Sequence, residues 1–275
     1  MERRNCTFSS AILSGLRDLP LLVGDLEEAK VWKRAFRTPD DVAVLNFDQK
    51  LGHLYEDAFE RLIQMDAGLE LLARNLQVPR ADGSTLGEID FLIRDRASGL
   101  VTHVELAVKF YLSFVDGSCV ERFPGPDPRD NWLNKLDRLR SRQLRLGRLE
   151  ETKALLKERF GVEEVAVGQR IYGALFDRFD REGHSRPPSV RAGCVRGCWL
   201  YFEELDRCFG GRTEFFVLPK CLWGAKIDER VLAELDRVSV EELGELATER
   251  CVMLWDEVCA RPVFVAPRSW PGVGA

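Results

Sequence analysis

The sequence has no apolar run approaching the roughly 20 residues that cross a bilayer, so it offers no helical membrane span. Met1-Glu2-Arg3-Arg4-Asn5 is not followed by a long apolar stretch, which predicts no secretory signal. Bulk positive charge is missing too. The net charge is −5 and the pI near 5.5, so contact with a polyanion must come from a local patch. There is no Gly-rich phosphate loop, nucleophile elbow or dinucleotide fingerprint. There is also no internal repeat and no low-complexity tract. What remains is ordinary globular composition, 45% hydrophobic and 31% charged over 275 residues. That length suits one large domain or two smaller ones. Cys194, Cys198, Cys208 and Cys221 invite a zinc reading, but no second close pair or histidine cluster follows. The eight cysteines read as reduced core or surface thiols of a cytoplasmic protein, and His184 stands alone in a polar loop.

The patterning divides the chain into a helical N-terminal extension (1–48), a core (49–178) and an α+β C-terminal part (179–275) packed on the same domain. Residues 8–44 look helical, with Thr38-Pro39-Asp40-Asp41 as a break. Leu51, Leu54, Ala58, Leu62, Met65 and Leu69 recur at three- and four-residue steps, which predicts a helix over 51–73. A short strand follows at 71–78, then a turn from Pro79 to Ser84. After a hairpin at 87–112, the proline-rich loop Phe123-Pro124-Gly125-Pro126-Asp127-Pro128 resists regular structure. Helices are expected at 130–149 and 151–160, the latter capped by Gly161. Strands are expected at 163–177, 198–202, 214–218 and 261–265. Ser239-Val240-Glu241-Glu242 is a capping box opening a helix expected to reach Cys259.

The hairpin is the informative stretch. Gly87–Arg94 and Thr102–Leu112 alternate as strands, joined by the turn residues Asp95-Arg96-Ala97-Ser98-Gly99. On the second strand Val104, Leu106, Val108, Phe110 and Leu112 share one face. His103, Glu105, Ala107, Lys109 and Tyr111 share the other. Ile89, Phe91 and Ile93 are split from Glu88, Asp90 and Arg94 in the same way. Asp90 and Glu105 on adjacent antiparallel strands would have Cβ atoms about 5 Å apart if directly opposite. Two such carboxylates repel, and a divalent cation removes that cost. Mg²⁺ is typically held by one or two carboxylates plus water and phosphate oxygens. A nearby lysine supplies a point charge for a developing phosphoryl negative charge. An acid pair with a lysine therefore has the parts for metal-assisted phosphodiester hydrolysis, although surface ion pairs give the same pattern.

Two helices add candidates. Glu56 lies one turn into the first core helix, either as a helper acid or as a solvent-facing one. On 130–149, Lys135, Arg138, Arg142 and Arg145 form a cationic row, either a phosphate-contacting strip or a solvated face. Gln143 falls in the apolar stripe of that helix and needs a partner inside or points at a site.

The residues Asn75-Leu76-Gln77-Val78, Leu86-Gly87-Glu88-Ile89-Asp90-Phe91-Leu92 and Glu105-Leu106-Ala107-Val108-Lys109-Phe110-Tyr111-Leu112 resemble the hallmarks of the PD-(D/E)XK nuclease superfamily. The closer match is an uncharacterised bacterial family, a domain of unknown function, assigned to it. The helix with Leu51-Gly52 and Glu56 is similar to the superfamily's first core helix, and the helix with Gln143 to the one after the core hairpin. The resemblance implies an α/β fold: a mixed central sheet flanked by helices, here with helical N-terminal and α+β C-terminal extensions. It implies Mg²⁺ (or Mn²⁺) held by Asp90 and Glu105, with Glu56 and Lys109 completing the catalytic set. Lys135, Arg138, Arg142 and Gln143 would position nucleic acid, DNA first. The usual proline before the first acid is Ile89, and the usual lysine two residues after the second is Ala107. Lys109 lies two residues further, its Cα ~13 Å from that of Glu105. Either the lysine has migrated or the site is a degenerate binding module for nucleic acid or protein. His103, Glu105 and Glu88 form an alternative ligand set.

Overall fold

The computed structural model describes residues 2–37, 44–80, 82–181 and 186–272. His184, the break at Thr38–Asp41 and Ala81 of the expected turn lie outside the described residues. From the N-terminus come α1 (Glu2–Asp18), β1 (Lys30–Val31), α2 (Leu51–Gln64), β2 (Leu69–Pro79), β3 (Thr85–Asp95) and β4 (Val101–Leu112). Next are β5 (Phe114–Val115), β6 (Glu121–Arg122), α3 (Trp132–Ser141), a 3-10 turn (Gln143–Arg148), α4 (Glu150–Phe160), β7 (Ala166–Arg178) and β8 (Val195–Tyr201). The last third holds α5 (Leu205–Phe209), β9 (Glu214–Val217), α6 (Glu229–Leu232), β10 (Arg237–Ser239), α7 (Val240–Leu246), β11 (Val252–Asp256) and β12 (Arg261–Ala266).

One mixed sheet runs through the molecule in the order β10-β9-β11-β12-β8-β7-β4-β3-β2, with β1 paired to β7. Its centre, β4, β7, β8 and β12, is parallel, and both ends are antiparallel. Parallel strands are covered on both faces, and β7 is buried along most of its length. Its one buried cation, Arg170, is satisfied by Tyr172 Oη and the carbonyls of Leu16, Trp32 and Arg34. Gly173 sits beside Lys109 with φ of 129°, and a Cβ there would stand 1.6 Å from the Lys109 carbonyl oxygen. Only glycine lets β7 lie against β4 at that point.

Helices cover both faces. α1 and α2 bury Ile12, Leu16, Leu54, Tyr55, Ala58, Phe59 and Leu62 against Phe91, Ile93, Val104 and Phe110. Phe59 meets the Phe91 ring edge-on, centroids 5.0 Å apart. On the other face Trp132, Leu136, Leu139 and Leu144 pack on Tyr111, Ile171 and Leu175. Beside them Leu146 and Leu156 cover Leu76, Val78, Ile89, Leu92 and Val101. Asn131 starts α3 by accepting the Leu133 N–H at 3.0 Å.

Four expected helices are shorter than the periodicity implies. The N-terminal one ends at Asp18, and Leu22 and Trp32 then donate backbone N–H groups to β7. α2 stops at Gln64, because Leu69–Ala73 pair as a strand with β3. The 130–149 helix breaks at Arg142 (φ −127°). The tighter turn beyond it buries both Leu144 and Leu146 and lays Gly147 against His103, Val165 and Val167. The capping box at Ser239 and Glu242 is present, but α7 ends at Leu246 because Val252–Asp256 is strand, held between β9 and β12.

Candidate active site

The site lies where β3 and β4 part. Their ladder runs from Arg94↔Val101 to Phe91↔Val104, and the same register sets Asp90 opposite Glu105. Beyond Phe91 the side chain of Asp90 takes over the pairing, its Oδ2 accepting the Leu106 N–H at 2.9 Å. On β2 the residue opposite Asp90 is Asn75, held at φ 51°. Phe91 and Ile93 face α1 and α2, whereas Leu92 and Ile89 both face α4. Ile89 therefore does not share a face with Phe91 and Ile93, as strict alternation had it.

Glu105 is 1% exposed. One of its oxygens accepts from Gln143 Nε2, and Oε2 has no hydrogen-bond partner. Burial, ahead of every charge around it, pushes the Glu105 carboxyl up to about 7. Burial first and Glu105 second push Asp90 well above the usual carboxylate range, and Glu56 adds to this. His103 Nε2 stands 3.8 Å from Glu105 Oε2, and neither ring nitrogen is hydrogen-bonded. Burial lowers His103 to about 4, so the imidazole is neutral at physiological pH.

Lys135 Nζ donates to Gln143 Oε1 at 2.8 Å, which makes a chain Lys135–Gln143–Glu105. Burial lowers the Lys135 pKa, and Glu105 pulls it back. Lys109 is held elsewhere, 2.6 Å from Asp130 Oδ2, whose other oxygen accepts from Tyr111 Oη at 3.3 Å. Glu56 Oε2 accepts from Arg74 Nη2 and Asn75 Nδ2, each at 3.2 Å. Arg138 and Arg142 are exposed, with no side-chain partner among the described residues. Glu88 is exposed and accepts from Gln77.

The geometry thus gathers Glu56, Asp90, Glu105, Lys135 and Gln143 and leaves Lys109 to one side. The sequence reading missed Arg74 as the partner of Glu56 and Asp130 as the partner of Lys109. It also set Lys135 in an exposed strip. The alternation of the Lys135, Leu136 and Leu139 positions carries no signal for its burial.

A divalent cation fits the acid pair on one count. Two adjacent carboxyls, one with a buried oxygen lacking any donor, are disfavoured as anions until a positive charge joins them. Among the described residues no group of three or more His, Cys, Asp or Glu side chains is arranged to hold a metal. The protein would supply two carboxylates, and water or phosphate the rest. A cavity of about 320 Å³ lined by Trp32, Arg34, Asp95 and Thr102 opens at the far end of the hairpin, away from this pair.

Among the described residues no helix is long and apolar enough to cross a membrane. Searches of curated proteins and of solved structures gave no match. Residues 21–253 match the model of a family described as a domain of unknown function, DUF1853, and the chain belongs to that family.

Proposed function

We propose that this protein is a PD-(D/E)XK nuclease-like phosphodiesterase, dependent on Mg²⁺ or Mn²⁺, that acts on DNA or structured nucleic acid in the cytoplasm. The observation that carries the reading is the opposed pair Asp90 and Glu105, with Glu105 Oε2 unpartnered. Asp90 and Glu105 would hold the cation, which when bound neutralises the pair and acidifies a water. Lys135, beside both acids, places a positive charge where phosphoryl charge develops. Gln143 fixes the lysine and Glu105 in one geometry. Glu56, steadied by Arg74 and Asn75, contributes negative potential at Asp90. Lys109 serves at the rim, and Arg138 and Arg142 are free to meet substrate phosphates.

The test is cleavage of single- and double-stranded DNA and RNA by purified protein with Mg²⁺ or Mn²⁺. Cleavage that is lost in Asp90→Asn and Glu105→Gln supports the reading. A second reading is a binding module without cleavage. It is favoured by the closure of Gln143 over Glu105 and by the lack of a third ligand among the described residues. Salt-sensitive binding that needs Arg138 and Arg142, with no cleavage of any substrate, would establish it.

A further inference from the structure

The four cysteines whose spacing suggested zinc do not gather. Cys194 belongs to the core beneath α3, and Cys221 packs against the core beneath α1 and α2. Cys198 and Cys208 do come together in a third core, where β8 meets the short α5. The two side chains pack in that same core, near enough for each to bear on the other's ionisation. Cys198 is 4% exposed, in the middle of a strand paired on both sides, to Asp177 and to Val263. Cys208 is half-buried and reaches solvent. Two glycines at positive φ, Gly210 and Gly211, follow α5. They give the helix a pivot with few steric limits. Asp256, which ends β11, and Arg261, which begins β12, both act electrostatically on Cys208, and exposed Cys259 lies in the turn between them.

We propose that Cys198 and Cys208 form a redox-active dithiol, with Cys208 the thiol that meets oxidant and Cys198 the one that resolves it. The division of labour follows from access and charge. An oxidant reaches a half-buried sulfur and does not reach one inside a sheet. The neighbouring Cys198 favours the Cys208 thiolate, and the Arg261 guanidinium does so as well, against burial and Asp256. A peroxide is the oxidant. Cys208 thiolate attacks one peroxide oxygen, the O–O bond breaks, and Cys208 becomes the sulfenic acid as hydroxide leaves. Cys198 then attacks that sulfur, and the sulfenic oxygen departs as water. The sum is two thiols and one hydrogen peroxide giving one disulfide and two waters. An accessible thiolate poised beside a resolving cysteine is the arrangement that makes oxidation reversible and halts it before the sulfinic acid. The bond would staple α5 to β8 across the C-terminal core and limit the pivoting that Gly210 and Gly211 permit. The proposal is independent of the nuclease reading, since no residue is shared.

The experiment is non-reducing peptide mapping of the full-length protein after a short, low-excess hydrogen peroxide treatment. The expected first product is an intramolecular Cys198–Cys208 link that dithiothreitol removes, with Cys194 and Cys251 still free. In Cys198→Ala the expected product is a Cys208 sulfenic acid that dimedone captures. A first link between Cys208 and Cys259, direct passage of Cys208 to the sulfinic acid in the wild type, or an unmodified pair while exposed Cys119 oxidises would each overturn it.

Discussion

Asp90 and Glu105 face one another across β3 and β4, in surroundings that penalise the anion of each. The Asp90 carboxyl also replaces the next rung of the ladder by taking the Leu106 N–H. The acid pair is thus built into the parting of the strands, and its ionisation is coupled to whatever positive charge arrives.

Stability of the metal-free protein should fall as pH rises from about 4.5 to about 7. Glu105 titrates near 7 when folded and near 4.5 when unfolded, so the native state binds more protons in that window. The stabilisation is full below the lower value and lost as pH passes the upper one, and Asp90 acts in the same direction. Thermal melts at pH 5 and pH 8 check this. The wild type should lose more stability over that interval than Glu105→Gln.

Replacing Lys135 should cost far more activity than replacing Lys109. Lys135→Met is expected to lower turnover roughly a hundredfold or more, the scale of losing a charge-stabilising donor. Lys109→Met, which removes the cation from Asp130 and leaves the Tyr111–Asp130 hydrogen bond in place, should retain most of it. Lys135→Met should also drive the Glu105 carboxyl further up, since Lys135 holds it down, and NMR titration reads this without substrate.

Arg138→Ala and Arg142→Ala should each weaken nucleic-acid binding across sequences and reduce the salt slope by about 1. Fluorescence anisotropy over a salt series measures it. Slopes unchanged in both variants would remove α3 from the interface.

Gly173→Ala should destabilise the fold by about 3 kcal/mol or more, since overpacking adds to a disfavoured φ. The added methyl meets the Lys109 carbonyl inside a parallel pair with no room to shift. The midpoint of urea unfolding reports it.

Much of this site was legible because a hairpin turn fixes register. Asp95 accepts the N–H groups of Ala97 and Ser98, and Gly99 takes φ 74°, as the turn residues implied. With the turn set, Asp90 and Glu105 must fall opposite one another. Most individual strands and helices followed from periodicity, whereas the mixed sheet between helices was what the family resemblance implied. What did not follow depends on contacts distant in sequence or on a single dihedral. Ile89 falls with Leu92 under α4 instead of with Phe91 and Ile93, and nothing in the strand's alternation announces it. Lys109 looked like the catalytic cation because Asp130 reaches it only after the proline-rich loop folds back. Lys135 looked like one of a solvated row because the break at Arg142, which swings Gln143 over Glu105, has no mark in an otherwise helical pattern. The overlong helices at 51–73 and 239–259 share one cause. Apolar runs that fit helix spacing were claimed by strand partners outside the run itself.

The claim that the opposed carboxyls form one divalent-cation site is tested most directly by calorimetric titration of Mn²⁺ into the metal-free protein at pH 7.5. The account predicts one ion per chain, proton release on binding, and loss of the signal in both Asp90→Asn and Glu105→Gln. No binding in the wild type, or binding that survives both substitutions, would contradict it.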